Sequence, residues 1–296
     1  MIDRESTFAD PEIVTFLKTK AVPIAIDQWN QRRQKDSEGE FYRKIASQGP
    51  RSDFENGTTQ GLYLAAPDGT LLGYTNNRSP DRIKQFLADG MAKFQSAETK
   101  SLVVESEDAR YVLRPPEGGL VIRVQAKVLD GYEQTDDRFK QIFQAAISRD
   151  NLWITAAEHQ QLAAGTFPER LAIRIARHSL VDNTRGEAPA WKEAEIVSAK
   201  FTINGHKLTG HCEMKVADNS RSYSADLVGE ISVNDGKVTQ FDVVAKGQFF
   251  GEATYTPHAP KGKFPLAVSF TLADGQDIAD SIPPEGARGW LKEYFR

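Results

Sequence analysis

The last third of the chain contains closely spaced apolar runs that are separated by very short turn sequences. Three of the connections are Asn204-Gly205, Asp218-Asn219 and Asp235-Gly236, and residue pairs of this kind favour tight hairpin turns. Strands joined in this way must pair antiparallel, because a parallel crossover needs a dozen or more residues. The sequence therefore predicts an antiparallel meander, with strands over residues 196–204, 208–217, 222–234, 238–247 and 266–272.

One strand and three helices are predicted before the meander. Residues 120–129 alternate between apolar and polar, as a strand with one polar face does. The helices are predicted over residues 139–147, 156–163 and 168–177. We therefore predict an α+β domain over residues 101–296, in which a curved antiparallel sheet or partial barrel has helices packed at one side. The 296 residues are enough for two domains with separate cores. A polar linker over residues 95–100 is expected to separate this domain from a first domain over residues 1–97.

The first domain has the predicted order α-β-α-β-β-α. Its first helix begins with Asp10 as the N-cap and Pro11 in the first turn. Residues 21–27, which are apolar up to Ile26, are typical of a short buried strand. The other predicted elements are a helix over residues 36–47 with Phe41 and Ile45 inward, a hairpin of residues 61–65 and 70–74 around Pro67-Asp68-Gly69, and a long closing helix after Ser79-Pro80-Asp81.

This first domain resembles a bacterial thioredoxin-like family that carries a Trp-Cys-His motif. The resemblance rests on the sequence Ser6-Thr7-Phe8-Ala9-Asp10-Pro11-Glu12-Ile13, on Val22-Pro23-Ile24-Ala25-Ile26-Asp27, and on Gly61-Leu62-Tyr63-Leu64 with Pro67-Asp68-Gly69. It covers about residues 5–97 and implies an α/β thioredoxin-like fold.

The redox chemistry of that family has no residues to carry it in this sequence. The family's cysteine would fall at or before Met1, and the only cysteine in the chain is Cys212. Thioredoxins also place a cis-proline before their third strand, whereas residues 57–60 are Gly-Thr-Thr-Gln. Dithiol exchange needs an attacking thiolate and usually a resolving partner. Two interpretations stay open, namely a domain kept for binding or architecture and a native chain that begins further upstream.

Composition narrows the classes of partner. The net charge is −4 and no Lys/Arg stripe is present, so we expect no nucleic-acid partner. No apolar run approaches the ~18 residues of a membrane-spanning helix, so we expect no membrane association. Without Cys-rich or His/acid spacing we predict no metal site and no cofactor. A single cysteine is compatible with a cytoplasmic protein, unless an N-terminal leader has been removed.

Three groups of residues are candidates for ligand binding. Trp29, Arg32 and Arg33 follow the predicted strand at residues 21–27, and arginine forks suit carboxylates and phosphates. His178, Asp182 and Arg185 form a polar run after a predicted helix, where a histidine oriented by an acid is typical of a general base. Phe249 and Phe250 lie between two glycines and are candidates to line an apolar pocket. A solvated loop, a helix-ending turn and a core position are the respective structural alternatives.

Our leading interpretation is a non-catalytic, thioredoxin-like binding or scaffold protein for a small molecule or another protein. We assign no catalytic residue in this interpretation. One alternative is a non-redox, hydrolase-like enzyme centred on His178, Asp182 and Arg185. Another is a thiol oxidoreductase whose cysteine lies upstream. Because these interpretations differ on catalysis, whether the protein is an enzyme stays open. The sequence does not identify the ligand.

Overall fold

The chain divides into two compact units, Ile2–Leu113 and Arg114–Arg296. The computed structural model describes residues 6–94 and 107–296. The predicted linker at residues 95–100 lies outside the described residues.

The described part of the first unit contains helices and one antiparallel hairpin. In chain order these elements are Pro11–Lys20 (α1), Gln28–Gln31 (α2), Ser37–Ala46 (α3), Leu62–Ala65 (β1), Leu71–Thr75 (β2) and Pro80–Lys93 (α4).

An aspartate side chain caps the N-terminus of each of the helices α1, α2 and α3. The Asp10 carboxylate accepts hydrogen bonds from the backbone N–H groups of Glu12 and Ile13, and Pro11 occupies the first turn of α1. Asp27 caps α2 and Asp36 caps α3 in the same way. Such caps satisfy backbone donors that a helix leaves unpaired at its start. The predicted start of the first helix is confirmed.

The core of the first unit lies between α1 and α4. Its buried side chains are Ile13, Ile83 and Leu87, and the partly buried residues packed on them are Phe16, Leu17, Leu62, Leu64 and Phe86. On α3 the predicted inward face is wrong. Tyr42 and Ala46 are buried instead, because the Tyr42 hydroxyl donates to Thr59 Oγ1 at 2.7 Å and so directs that face inward.

The buried strand predicted at residues 21–27 is absent from the structure. Residues 22–26 are all exposed and belong to no strand. In the described part of the unit, β1 and β2 pair only with each other, so no neighbouring strand provides a ladder for this run. The expected α-β-α-β-β-α order therefore lacks its first strand, and what the described residues show is a mixed arrangement of helices and one hairpin.

The second unit is built on a seven-stranded antiparallel sheet of order β4-β3-β9-β8-β7-β6-β5. The strands are Leu120–Val128 (β3), Asp150–Ile154 (β4), Ile196–Asn204 (β5), Lys207–Lys215 (β6), Ser222–Asn234 (β7), Lys237–Phe250 (β8) and Lys263–Leu272 (β9). The helices are Arg138–Ala145 (α5), Ala156–Ala163 (α6), Glu169–Arg174 (α7) and Leu291–Tyr294 (α8).

Short turns join β5, β6, β7 and β8 in order, a longer loop over residues 251–262 leads from β8 to β9, and the predicted meander is confirmed. Asp235 and Gly236 both have positive φ values, 50° and 72°, as a two-residue type I′ hairpin requires. One face of the sheet is apolar and buried, and the opposite face is polar, as in most antiparallel sheets. The buried face carries Tyr223, Leu227, Phe241, Val243, Phe264 and Phe270.

Two features of the second unit differ from the sequence prediction. Strand β4 was not predicted, and its Trp153 is fully buried. The predicted helix at 168–177 ends as an α-helix at Arg174 and continues as a π-helical turn over Ile175–Ser179.

The C-terminal segment, residues 273–296, is fixed to the β3–β4 edge of the sheet. The Asp280 carboxylate accepts hydrogen bonds from Arg123 and Arg149. The Asn151 amide donates to the Ala279 and Ile282 carbonyls at 2.7 and 2.8 Å. These bonds hold the segment against the part of the sheet that carries Trp153.

Candidate functional site

A run of five apolar residues in the first unit is exposed, and its backbone is unpaired within the part of the chain that the structure describes. Val22 is 84% exposed, Ile24 73% and Ile26 42%, and Pro23 and Ala25 are exposed as well. No hydrogen bond among the described residues involves the backbone of residues 22–26. We call residues 22–26 the exposed segment. An unpaired, β-branched strand sequence of this kind is a template for pairing with another chain.

Both ends of the exposed segment are anchored. On the N-terminal side, α1 is fixed in the core by Ile13, which is 1% exposed. On the C-terminal side, the Asp27 carboxylate accepts the Trp29 backbone N–H at 2.9 Å. Gln28 Oε1 accepts hydrogen bonds from the backbone N–H and hydroxyl of Thr59. The flanking residues Ala21 and Asp27 have extended backbone angles, so the segment is held between fixed supports.

Trp29 and Arg33 stack on each other beside this segment. The Arg33 guanidinium lies 4.5 Å from the centre of the Trp29 ring, and its Nη1 donates to the Trp29 carbonyl at 2.9 Å. The Trp29 ring also makes an edge contact with Tyr111 at 6.2 Å. Trp29 and Arg33 therefore form a cation–π pair, which stabilises the local turn.

Arg32 does not join Trp29 and Arg33 in one anion site. Its side chain is directed into the unit, where Nη1 donates to the Gly57 carbonyl and the residue is 8% exposed. Burial lowers the pKa of the Arg32 guanidinium, and the neighbouring charge of Arg33 lowers it further. The three predicted residues therefore lie close in sequence but point to different surroundings.

Asp182 and Arg185 form a fully buried ion pair in the second unit. Arg185 Nη2 donates to Asp182 Oδ2 at 2.6 Å, and the two side chains are 0% and 2% exposed. The other Arg185 donors reach the Pro257 and Thr256 carbonyls and the Tyr132 hydroxyl. A guanidinium has five N–H donors. Together with the bond to Thr184, these hydrogen bonds use all five donors of Arg185. This geometry favours a structural role over anion binding.

His178 lies on the π-helical turn, apart from that ion pair. Its ring centre is 5.4 Å from that of Tyr294, and its buried Nδ1 has no hydrogen-bond partner in the structure. Burial lowers the pKa of His178 to about 4, with smaller contributions from Arg177 and Arg174. The Asp182 carboxylate accepts from Thr184 and Arg185, and no hydrogen bond in the described part of the chain joins it to His178. The predicted histidine–acid pair is thus not assembled here.

Phe249 belongs to the core of the second unit. It is 2% exposed and makes ring contacts with Trp191, Tyr223 and Phe264 at 5.4–6.1 Å. Phe250, the next residue on β8, is partly buried. A shallow cavity of about 290 Å³ does lie in this unit, but its lining is Glu187, Ala188, Pro189, Ala253, Thr254 and Tyr255. Neither phenylalanine lines that cavity.

Cys212 lies in an environment that suppresses nucleophilic chemistry. The residue is fully buried on β6, and burial raises the pKa of its thiol to about 12. A thiol is reactive only as the thiolate. Within residues 6–94 and 107–296, no group of three or more His, Cys, Asp or Glu residues is arranged to hold a metal ion. No described helix combines the length and apolar character needed to cross a bilayer.

Sequence reasoning missed a buried polar cluster beneath the C-terminal segment. Arg174 and Glu158 form an ion pair there, with side chains 3% and 9% exposed. The Arg174 guanidinium lies 5.2 Å from the rings of both Tyr294 and Phe295. Arg174 Nε and Nη1 are buried without a hydrogen-bond partner. The π-helical turn that follows Arg174 has no sequence signature, so local pattern could not have found this cluster.

The comparisons with known proteins add no relative. No family model, curated protein or solved structure matches the chain.

Proposed function

We propose that this chain is a non-catalytic binding or scaffold protein with a thioredoxin-like first unit, and that this unit binds an extended protein segment by β-strand pairing. The observation that carries the proposal is the exposed segment, because its backbone groups are unpaired and its side chains are apolar. Pairing along a strand supplies affinity through main-chain hydrogen bonds, and side-chain contacts on alternate positions supply selectivity.

The anchored ends make the exposed segment a suitable docking strand. The flanking residues Ala21 and Asp27 are extended, and a segment whose ends are held in this way loses less conformational entropy when a partner pairs with it than a flexible loop does. The apolar side chains of Val22, Ile24 and Ile26 alternate along the run, so pairing in an extended conformation places all three on one face. In a thioredoxin-like fold the same residues would form a strand of the sheet, which agrees with their high β-propensity.

The polar groups singled out from the sequence favour binding over catalysis in this chain. Arg32 and Arg185 donate hydrogen bonds to backbone carbonyl groups of the protein itself. His178 has a low pKa and no acid bonded to its ring, whereas a general base is best matched near the working pH. The hydrolase-like alternative therefore has no assembled pair to support it. A cytoplasmic location remains part of the proposal, and the single buried thiol is compatible with it.

Selection from a phage library of random dodecapeptides tests the proposal on the full chain. We expect wild type to enrich peptides with alternating β-branched residues, which favour strands. Ile24→Lys should enrich none of them, because it places a charge on the pairing face. Ile278→Lys is the matched control, since Ile278 is an exposed isoleucine of the second unit at 88% exposure. Equal enrichment by wild type and Ile24→Lys, with both variants folded by circular dichroism, would overturn the proposal.

A further inference from the structure

We infer that the exposed segment pairs with the same segment of a second copy of this chain, antiparallel about a two-fold axis at Ile24. The inference rests on the proposed docking role of the segment and names the partner. It follows from the positions of the backbone donors, of the apolar side chains and of the charges at the two ends.

Backbone donors select this register. In an antiparallel pair, residues alternate between positions that exchange two hydrogen bonds with the opposite residue and positions whose N–H and C=O groups point away. With Ile24 opposite Ile24 as a hydrogen-bonded pair, Val22 and Ile26 also lie at bonded positions. Pro23 and Ala25 then lie at positions that need no N–H. Because proline has no N–H to donate, this register loses nothing at Pro23.

Other two-fold registers use fewer donors. A two-fold axis at Pro23 or at Ala25 leaves one of the three donors Val22, Ile24 and Ile26 opposite a residue outside the segment. The axis at Ile24 uses all three in each copy, which is the largest number of ladder bonds that residues 22–26 can form with themselves.

The same register brings the β-branched side chains of both copies, Val22, Ile24 and Ile26, onto one face. Val22 opposes Ile26 of the second copy, and Ile24 opposes itself, which gives three cross-strand pairs of β-branched residues. Such pairs stabilise antiparallel ladders. In the single copy these side chains are the ones with high exposure, 84% for Val22 and 73% for Ile24, so pairing covers surface that is otherwise in contact with water.

The charges at the two ends favour antiparallel over parallel pairing. Lys20 lies at the end of α1 and is exposed, and Asp27 follows the segment. With the axis at Ile24, Ala21 opposes Asp27 of the second copy, so Lys20 approaches the opposite charge. Parallel pairing would bring Lys20 beside Lys20 and Asp27 beside Asp27, which is unfavourable. Five paired residues bury less than the ~800 Å² per partner of a standard interface, so we expect a weak and reversible dimer.

Sedimentation velocity of the full chain over a series from micromolar to millimolar concentration tests the dimer. We expect concentration-dependent dimerisation of wild type, weakened at least ~10-fold by Ile24→Lys, which puts two like charges directly opposite each other. Ile278→Lys should dimerise like wild type. Ala25→Pro should also dimerise, because position 25 needs no N–H in this register, whereas Ile24→Pro should not.

Amide hydrogen exchange tests the register directly, because it shows which amides become hydrogen-bonded in the dimer. At concentrations where the dimer forms, the amides of Val22, Ile24 and Ile26 should gain protection and that of Ala25 should not. Protection of Ala25 without Ile24 would overturn the register, and a wild type that stays monomeric throughout would overturn the second copy as partner. If wild type is monomeric but still enriches peptides that Ile24→Lys does not, the docking role stands and only the identity of the partner fails.

Discussion

Replacing Asp182 tests whether the densest polar run of the second unit is part of the fold or a ligand site. Asp182→Ala removes the carboxylate that pairs with Arg185 at 2.6 Å and leaves a guanidinium that is 0% exposed. Breaking a buried ion pair from one side costs about 3–5 kcal/mol, because the remaining charge is unpaired and dry. Arg185 would keep its bonds to the Thr256 and Pro257 carbonyls, so we expect the lower half of that range.

Urea unfolding followed by tryptophan fluorescence measures this loss. Trp153 and Trp191 are 0% exposed in the same unit, so their emission reports its unfolding. The matched control is Asp226→Ala, which removes a carboxylate bonded to His211 on the surface, where the Asp226 side chain is 87% exposed. The control should change the free energy of unfolding by less than about 0.5 kcal/mol. A loss below about 1 kcal/mol for Asp182→Ala would refute the structural reading of the pair.

Three further predictions concern groups that the fold buries. The pKa of His178 is about 4 in the folded state and about 6.5 in the unfolded state. The free energy of unfolding that comes from keeping this ring neutral is therefore fully present above pH 6.5 and is lost as the pH falls toward 4. Wild type should therefore lose about 2 kcal/mol more than His178→Gln between pH 7 and pH 5, and parallel pH profiles in urea titrations would contradict this. Phe249→Ala should destabilise the second unit by about 3–5 kcal/mol, whereas Val244→Ala, on the polar face at 42% exposure, should cost well under half as much by the same assay. The Cys212 thiol, with its pKa raised to about 12, should react with Ellman's reagent only after unfolding, and rapid reaction of the native chain would show that the strand is accessible.

Local sequence signals predicted the meander well because they act between neighbours in the chain. Asp235-Gly236 specifies a two-residue turn, and the strands on either side pair with each other. The pairing of β3 with β9 joins residues such as Ile122 and Leu272, and nothing near either residue encodes the other. Strand β4 was missed for the same reason, since among the described strands it pairs only with the distant β3.

The candidate residues show the same division between local and distant information. Arg185 looked available for an anion because its sequence neighbours are polar, but its acceptors at Thr256 and Pro257 lie 71 and 72 residues away. The run at residues 21–27 was predicted as a buried strand from its apolar, β-branched residues. In the structure those residues belong to no strand, because a buried strand needs a partner strand that local pattern does not supply.

Amide hydrogen exchange on the dilute, monomeric chain tests the central claim most directly. The claim is that residues 22–26 present an unpaired backbone held between anchored helices. We expect the amides of Val22, Ile24, Ala25 and Ile26 to exchange almost as fast as in an unstructured peptide, while those of α1 and of the β1–β2 hairpin are protected. Protection of Val22, Ile24 and Ile26 in the dilute monomer would mean that the strand is already paired within the chain, and would contradict the account.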